Sequence, residues 1–319
     1  MRRRFFHAIE RFYELGGEIF YKTKGEKWSM EKAQNLIELS RFLAKLNNQK
    51  QFHIGYCGEV EEEIYKTLKE DFVHEKDGIS FWIAKNQDGV IITAIGLDIG
   101  TSAEVWGPFL QIVSLPLQHQ LWEQVVKGNS SISEFYFFVN KENITQQQFL
   151  NEIGAAKTGE HLILEIQKEN FHEMGEIRSK PYEERDYPTF EKLHFEMFPN
   201  TYYDAKTIIN RLSEHCILKV LKSEMNDVVG YAYYEIDSEI GEASLEYLAI
   251  SPKAQNQGLG TLLLKEVLTE MFSHSHITEI RLSVNNQNNR ANHVYFKAGF
   301  EQKHILYSYQ FHRRVDEDF

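Results

Sequence analysis

The 319-residue chain predicts an α/β (α+β) protein: two domains in tandem, each a sheet flanked by helices, with a helical hairpin at the N-terminus. Three observations predict it. Short apolar runs of period two interleave with helical stretches of period 3.6 along the whole chain. The same order of elements occurs twice, before and after a polar stretch at 168–175. One segment of the first half also overlays one of the second without a gap: Val139, Asn143 and Gly154 stand 145 positions before Val284, Asn288 and Gly299. At about 100–200 residues per domain, the length fits two.

The elements follow in order. Residues 2–15 place Phe5, Ile9, Phe12 and Tyr13 on one helical stripe that Gly16-Gly17 ends, and a second helix runs from Met30 to Leu46. Residues 52–56 read as a strand, Glu59–Phe72 as a helix, and 80–85, 90–97 and 103–106 as strands, with Gln87-Asp88-Gly89 as a hairpin turn. A helix around His119–Val126, a strand at 134–139, a helix at Thr145–Ile153 and a strand at 161–166 complete the first half. The second half opens with a short strand at 176–178 and helices at Tyr182–Met197 and Tyr203–Leu212. Strands at Cys216–Lys222, Val228–Ile236 and Glu242–Ile250 follow, then a helix at Gly258–Phe272 and a strand at Glu279–Val284. A helix at Asn289–Lys297 and a strand at Ile305–Phe311 close it. The boundaries are 1–49 for the helical extension, 50–170 for the first domain and 176–319 for the second.

Composition narrows the function. A hydrophobic fraction of 42% and a charged fraction of 26% belong to a globular protein with a sizeable core. The formal charge of −12 argues against a phosphate-tracking nucleic-acid surface and favours cationic partners such as amines. Cys57 and Cys216 are far apart and without a histidine cluster at ligand spacing, so neither a disulfide framework nor a metal site is expected, and a cytoplasmic location is. No apolar run approaches the ~18 residues of a membrane span, and Glu10, Glu14 and Glu18 interrupt any signal-peptide core after the basic start.

The strongest chemical signal is Leu245-Glu246-Tyr247-Leu248-Ala249-Ile250-Ser251-Pro252, then Lys253-Ala254-Gln255-Asn256-Gln257-Gly258-Leu259-Gly260-Thr261, then an apolar helix. A strand ends at proline, a Gln/Gly-rich loop follows and a helix begins. That arrangement aims unpaired backbone N–H groups and a helix dipole at one point, which suits a pyrophosphate. Glycine at 258 and 260 removes Cβ atoms that would obstruct close approach.

These residues resemble the GNAT N-acetyltransferase superfamily. Gln255-Asn256-Gln257-Gly258-Leu259-Gly260 fits its Q/R-x-x-G-x-G/A signature, directly after a strand of the family's type, here Leu248-Ala249-Ile250. Downstream, the segment from Asn288 through Ala291 and Tyr295 to Gly299-Phe300 is similar to its N-x-x-A-x-x-x-Y-x-x-x-G-F segment. The resemblance implies a mixed, mostly antiparallel GNAT-type sheet in each of two GNAT-like domains, acetyl-CoA as acyl donor and an amine acceptor. Backbone groups at Leu248, Ala249 and Ile250 would pair with the pantetheine arm. Gln255, Asn256, Gln257, Gly258, Leu259, Gly260 and Thr261 would cradle the pyrophosphate, Asn288 would bond the cofactor near its thiol, and Tyr295 would protonate the leaving thiolate.

Amine attack on a thioester needs a neutral nucleophile, a polarised carbonyl and a protonated leaving group. An alkylammonium ion has a pKa of about 10.4, so a base is required. Glu246 is the candidate, sharing one strand face with Ser244, Leu248 and Ile250 by period-two alternation, and Glu235 is second choice. Some relatives keep the glutamate two residues earlier, where this chain has Ser244.

The first half lacks this apparatus. Its corresponding stretch, Trp106 to Gln118, has no GxG and two prolines without N–H donors, and Leu150 stands where Tyr295 does. It is similar to the degenerate repeat of tandem GNAT proteins such as mycothiol synthase. The expected activity is acetyl transfer to a small-molecule amine, with no nucleic-acid or membrane partner and with homodimerisation open. The other candidates are a protein acetyltransferase, lysine or N-terminal, and a non-catalytic CoA-binding regulator.

Overall fold

The computed structural model describes residues 11–15, 18–23, 26–74, 78–111, 114–172, 177–199, 201–237 and 241–313. The chain divides into two compact units, Met1–Glu160 with His304–Phe319, and His161–Lys303. Each is a mixed, mostly antiparallel sheet flanked by helices.

In the first unit the strands are β1 (Arg11–Leu15), β2 (Glu18–Thr23), β3 (Glu26–Lys32), β6 (Phe81–Asn86), β7 (Ile91–Ile99), β8 (Ala103–Leu110) and β9 (Glu134–Asn140), with a two-stranded ribbon of β4 (Val73–His74) and β5 (Gly78–Ile79). The helices are α1 (Leu36–Asn47), α2 (Glu61–Asp71), α3 (Leu115–Gly128) and α4 (Ile144–Ile153). The main sheet runs β1-β2-β3-β6-β7-β8-β9, and residues 306–312 of the final strand β16 (Glu301–His312) pair antiparallel with β9. One core joins α3 and α4 to the sheet through Leu121, Trp122, Phe135 and Phe149. A second joins α1 and α2 through Leu39, Leu43, Ile64 and Leu68.

Among the described residues, the end of the first helix expected at the N-terminus, 11–15, is a strand, and strands also occupy 18–23 and 26–32. Residues 11–15 pair antiparallel with β2, and Trp28 and Met30 are buried at alternate positions of β3. That is period two, not 3.6. The helix expected from Met30 begins only at Leu36, where the Asn35 side chain accepts the N–H groups of Ile37 and Glu38. Residues 1–10, Gly16-Gly17 and residues 173–176 lie outside the described residues. Within 52–56 only Ile54 makes a strand bridge, to Val139.

The second unit contains β10 (Ala156–Gln167, from residue 161), β11 (Lys180–Pro181), α5 (Tyr187–Met197), α6 (Ala205–Arg211), β12 (Cys216–Lys222), β13 (Val228–Asp237), β14 (Glu242–Ile250), α7 (Leu259–Ser273), β15 (Glu279–Asn285) and α8 (Asn289–Ala298). Its sheet order is β10-β15-β14-β13-β12-β11. The strand expected at 176–178 appears later, as Lys180–Pro181 pairing with β12. Helices α5 and α6 cover Tyr231, Tyr233, Tyr247 and Ala249 on one sheet face. Helix α7 buries Leu263, Leu264, Val267, Leu268 and Met271. Its buried Glu266 accepts the N–H groups of Arg178 and Ser179, at 2.7 and 2.9 Å.

The 145-residue register has a structural cause. Asn143 and Asn288 cap the N-termini of α4 and α8, each accepting an N–H three residues on. Gly154 and Gly299 end the same helices in the left-handed region, at φ 83° and 110°. Val139 and Val284 are buried in the strands before them.

The compact units do not follow the halves of the chain, since the last strand belongs to the first unit. All four tryptophans, Trp28, Trp82, Trp106 and Trp122, lie in that unit. A chain ending at Lys303 should therefore shift its tryptophan emission to the red; emission unchanged from the full chain would contradict this division.

Candidate active site

Strands β14 and β15 run parallel, and their ladder is confined to Ser244↔Arg281. Beyond Ser244, β14 continues to Ile250 against β13 alone. The edge of β14 turned towards β15 thus carries backbone groups outside any ladder, along the segment from Leu248 through Ala249 to Ile250. A β-bulge lies within this strand. Tyr233 faces Tyr247 and Tyr234 faces Leu245, so Glu246 is the extra residue. The bulge interrupts the alternation expected for Ser244, Glu246, Leu248 and Ile250.

The loop after β14 is braced by a side chain. Gln255 donates its amide to the Ile250 carbonyl at 2.9 Å and accepts from Arg290 of α8 at 3.1 Å. Its side chain therefore ties the strand end to α8, and any anion held here would meet the main chain instead. Asn256 and Gly258 lie in the left-handed region, at φ 61° and 78°. A Cβ on Gly258 would meet nothing within 4 Å, so glycine is required there by backbone conformation and the space in front of it is open. A Cβ on Gly260 would make ordinary contact with Val294 and Ile250 at 3.5 and 3.6 Å. Gly258 is the N-cap of α7, and no side chain caps that helix. Its first-turn amides, from Leu259 through Gly260 to Thr261, are left for a ligand or solvent. Gln257 is exposed beside them. An uncapped turn with open space before a left-handed glycine fits a diphosphate.

Tyr295 is half-buried on α8, edge-on to Phe300 at 5.7 Å. Burial pushes its pKa up to about 12, so the hydroxyl stays protonated and able to donate. Asn288 caps α8 by accepting the Ala291 N–H at 3.2 Å, which commits its side-chain oxygen and leaves only its amide for a ligand.

Glu246 is exposed and accepts the Ser244 hydroxyl at 2.6 Å. Glu235, the second carboxylate, is saturated. Arg211 Nη2 lies 2.8 and 2.9 Å from its two oxygens, and Tyr233 donates to it at 2.6 Å. Both Glu235 oxygens are thus committed, while among the described residues Glu246 meets only the Ser244 hydroxyl.

Sequence patterning missed the residues that fix the α5–α6 connection. Buried His194 donates from Nε2 to the Tyr203 carbonyl at 2.8 Å and accepts the Tyr231 hydroxyl on Nδ1 at 2.5 Å. The Tyr247 hydroxyl accepts the Tyr203 N–H at 3.1 Å and meets Thr201 at 2.5 Å. Tyr203 is thus held at both backbone groups, with the Arg211 guanidinium over its ring at 4.5 Å. The run of tyrosines at 231, 233 and 234 was the available signal, but their partners lie far away in sequence.

In the first unit, His53, Glu59 and His304 bring possible ligand atoms within 4.8 Å of one another. The two rings stack at 3.9 Å and 16°, so their in-plane lone pairs run nearly parallel and cannot converge on one ion. Asn140 Oδ1 accepts the Glu142 N–H, which turns its amide to His304 Nδ1, and His304 Nε2 then donates to Glu59 at 2.9 Å. The cluster is a hydrogen-bonded core network. Burial raises the Cys57 thiol pKa well above its ordinary value, which makes it unreactive.

Residues 171–300 match the profile of the Acetyltransferase (GNAT) family. The fold resembles a GCN5-related N-acetyltransferase from Sphaerobacter thermophilus, with TM-score 0.64, 13% identity, and 89% of this chain and 95% of that one covered. It also resembles a tandem GNAT protein from the clavulanic acid biosynthesis pathway, with TM-score 0.61, 10% identity, and 89% and 98% covered. A glucosamine N-acetyltransferase region of a fungal GH3 β-N-acetylglucosaminidase aligns with TM-score 0.62 at 9% identity, covering 89% of this chain and 38% of that one. Among the described residues no helix is long and apolar enough to cross a membrane.

Two outcomes follow from this geometry. Gly258→Ala should lower stability in urea unfolding by about 1–2 kcal/mol, the cost of an L-residue in the left-handed region; an unchanged midpoint would contradict it. Burial lowers the His194 pKa below its ordinary 6.5, so the unfolded chain takes up the proton first and stability falls as pH drops below that value. His194→Gln should flatten this acid limb in thermal melts, and an identical limb would show that His194 does not set it.

Proposed function

From the match of residues 171–300 to the acetyltransferase (GNAT) family, we propose that this chain transfers an acetyl group from acetyl-CoA to the amine of a small-molecule acceptor, within a ternary complex. The observation that carries the reading is the uncapped first turn of α7 beside the splayed edge of β14. The amides of Gly258, Leu259, Gly260 and Thr261 would hold the diphosphate, and the free edge of β14 at Leu248 to Ile250 would take the pantetheine arm as an added strand. Acetyl-CoA supplies, when bound, a thioester carbonyl open to attack.

The chain's own groups divide the remaining work. Glu246 takes the proton of the acceptor ammonium through the carboxylate oxygen that Ser244 leaves free. Backbone N–H groups at the end of β14 polarise the carbonyl. The Tyr295 hydroxyl, protonated at neutral pH, donates its proton to the departing sulfur. The first unit takes no part in the chemistry on this reading. Its β8-to-α3 connection is only 111–114, against 251–258 after β14, Pro116 lies in the first turn of α3, and Leu150 is buried where Tyr295 stands in the second unit.

Calorimetric titration with acetyl-CoA should give saturable binding, and absence of binding at millimolar ligand would refute the proposal. Tyr295→Phe should lower kcat by about 10²–10⁴-fold while keeping cofactor affinity, as loss of a general acid does; unchanged turnover removes Tyr295 from the mechanism. Glu246→Gln should lose turnover at neutral pH and regain part of it as pH rises, because the amine then arrives already neutral. A loss that is the same at every pH would deny Glu246 the role of base.

A further inference from the structure

Two carboxylates flank Ser244 on the proposed acceptor side of the second unit. Glu235 faces Ser244 across β13 and β14, and Ser244 is bonded to Glu246. They differ in their partners. Glu235 is bound through both oxygens by Arg211 and by the Tyr233 hydroxyl. Among the described residues no cation pairs with Glu246.

Arg211 is not free to leave this position. Its Nε donates to Tyr233 at 3.2 Å, and its guanidinium lies on Tyr203, whose backbone His194 and Tyr247 anchor. The Arg211 guanidinium over Tyr203 and the Glu235↔Ser244 pairing bring the Arg211–Glu235 pair beside the Ser244–Glu246 pair. Of the two carboxylates Glu235 is compensated and Glu246 is not. An acceptor ammonium is drawn to Glu246, while a second ammonium on the same molecule would meet a guanidinium whose counter-ion is already taken.

Resting on the proposed acetyl transfer, we infer that Arg211 is a specificity-determining residue that restricts the acceptor to a monoamine, by cancelling Glu235 and leaving Glu246 as the single open anionic site. Removing the guanidinium exposes a second carboxylate and turns the site towards diamines.

The test uses the full chain saturated with CoA and two probes of equal carbon length, propylamine and 1,3-diaminopropane, titrated at neutral pH with amide chemical shifts as the readout. Wild type should bind propylamine at least as well as the diamine. Arg211→Gln should move the ratio of dissociation constants about tenfold towards the diamine, a shift of about 1.4 kcal/mol. Glu235→Gln tests the same idea from the other side: with the guanidinium uncovered, propylamine should weaken and the diamine should weaken more. Ratios unchanged in both variants, or failure of both probes to bind wild type at millimolar concentration while CoA binds, would overturn the assignment of Arg211 alone. Failure of CoA to bind wild type would instead overturn the acetyl-transfer reading beneath it.

Discussion

The first N–H groups of an α-helix have no partner within the helix, and in α7 no side chain supplies one. The surrounding structure keeps them uncovered. Gly258 turns the chain through the left-handed region to start the helix, and Gln255 spends its side chain on the Ile250 carbonyl and on Arg290, away from the turn. Next to this turn β14 parts from β15 after Ser244. An uncapped helix start thus follows directly on a strand with an open edge, an arrangement that would suit an extended donor with a diphosphate at one end.

The wall beside Glu246 is held differently. The first turn of α7 presents main chain, whereas this wall is tied by side-chain hydrogen bonds. His194 acts as donor to Tyr203 and acceptor from Tyr231, and Tyr247 reaches from the strand bearing Glu246 to the loop bearing Tyr203. Glu246, which has no cation partner among the described residues, thus sits on a strand tied to this loop, while its neighbour Glu235 is paired with Arg211.

What was legible in the sequence was whatever is encoded locally. The glycine motif is a backbone requirement at Gly258, and the Asn and Gly repeated at 145-residue spacing are the caps of two equivalent helices. The same capping explains why Asn288 recurs as Asn143 in the half without the GxG loop, a feature that spacing alone does not separate from ligand binding. The bulge at Glu246 depends on pairing with Tyr233 and Tyr234 of β13, and the Arg211–Glu235 pair joins a helix to a strand 24 positions on, so neither leaves a periodic trace. At the N-terminus the aromatic spacing of residues 12 and 13 suits either period, and the antiparallel pairing with β2 decided for strand.

The central claim is that main-chain amides from Gly258 to Thr261 receive the diphosphate. A crystal structure of the chain with coenzyme A tests it most directly. The account predicts diphosphate oxygens within hydrogen-bond distance of these amides, with the pantetheine arm along β14 and the sulfur near the Tyr295 hydroxyl. Coenzyme A bound at another surface, or in place but with its diphosphate held only by side chains, would contradict it.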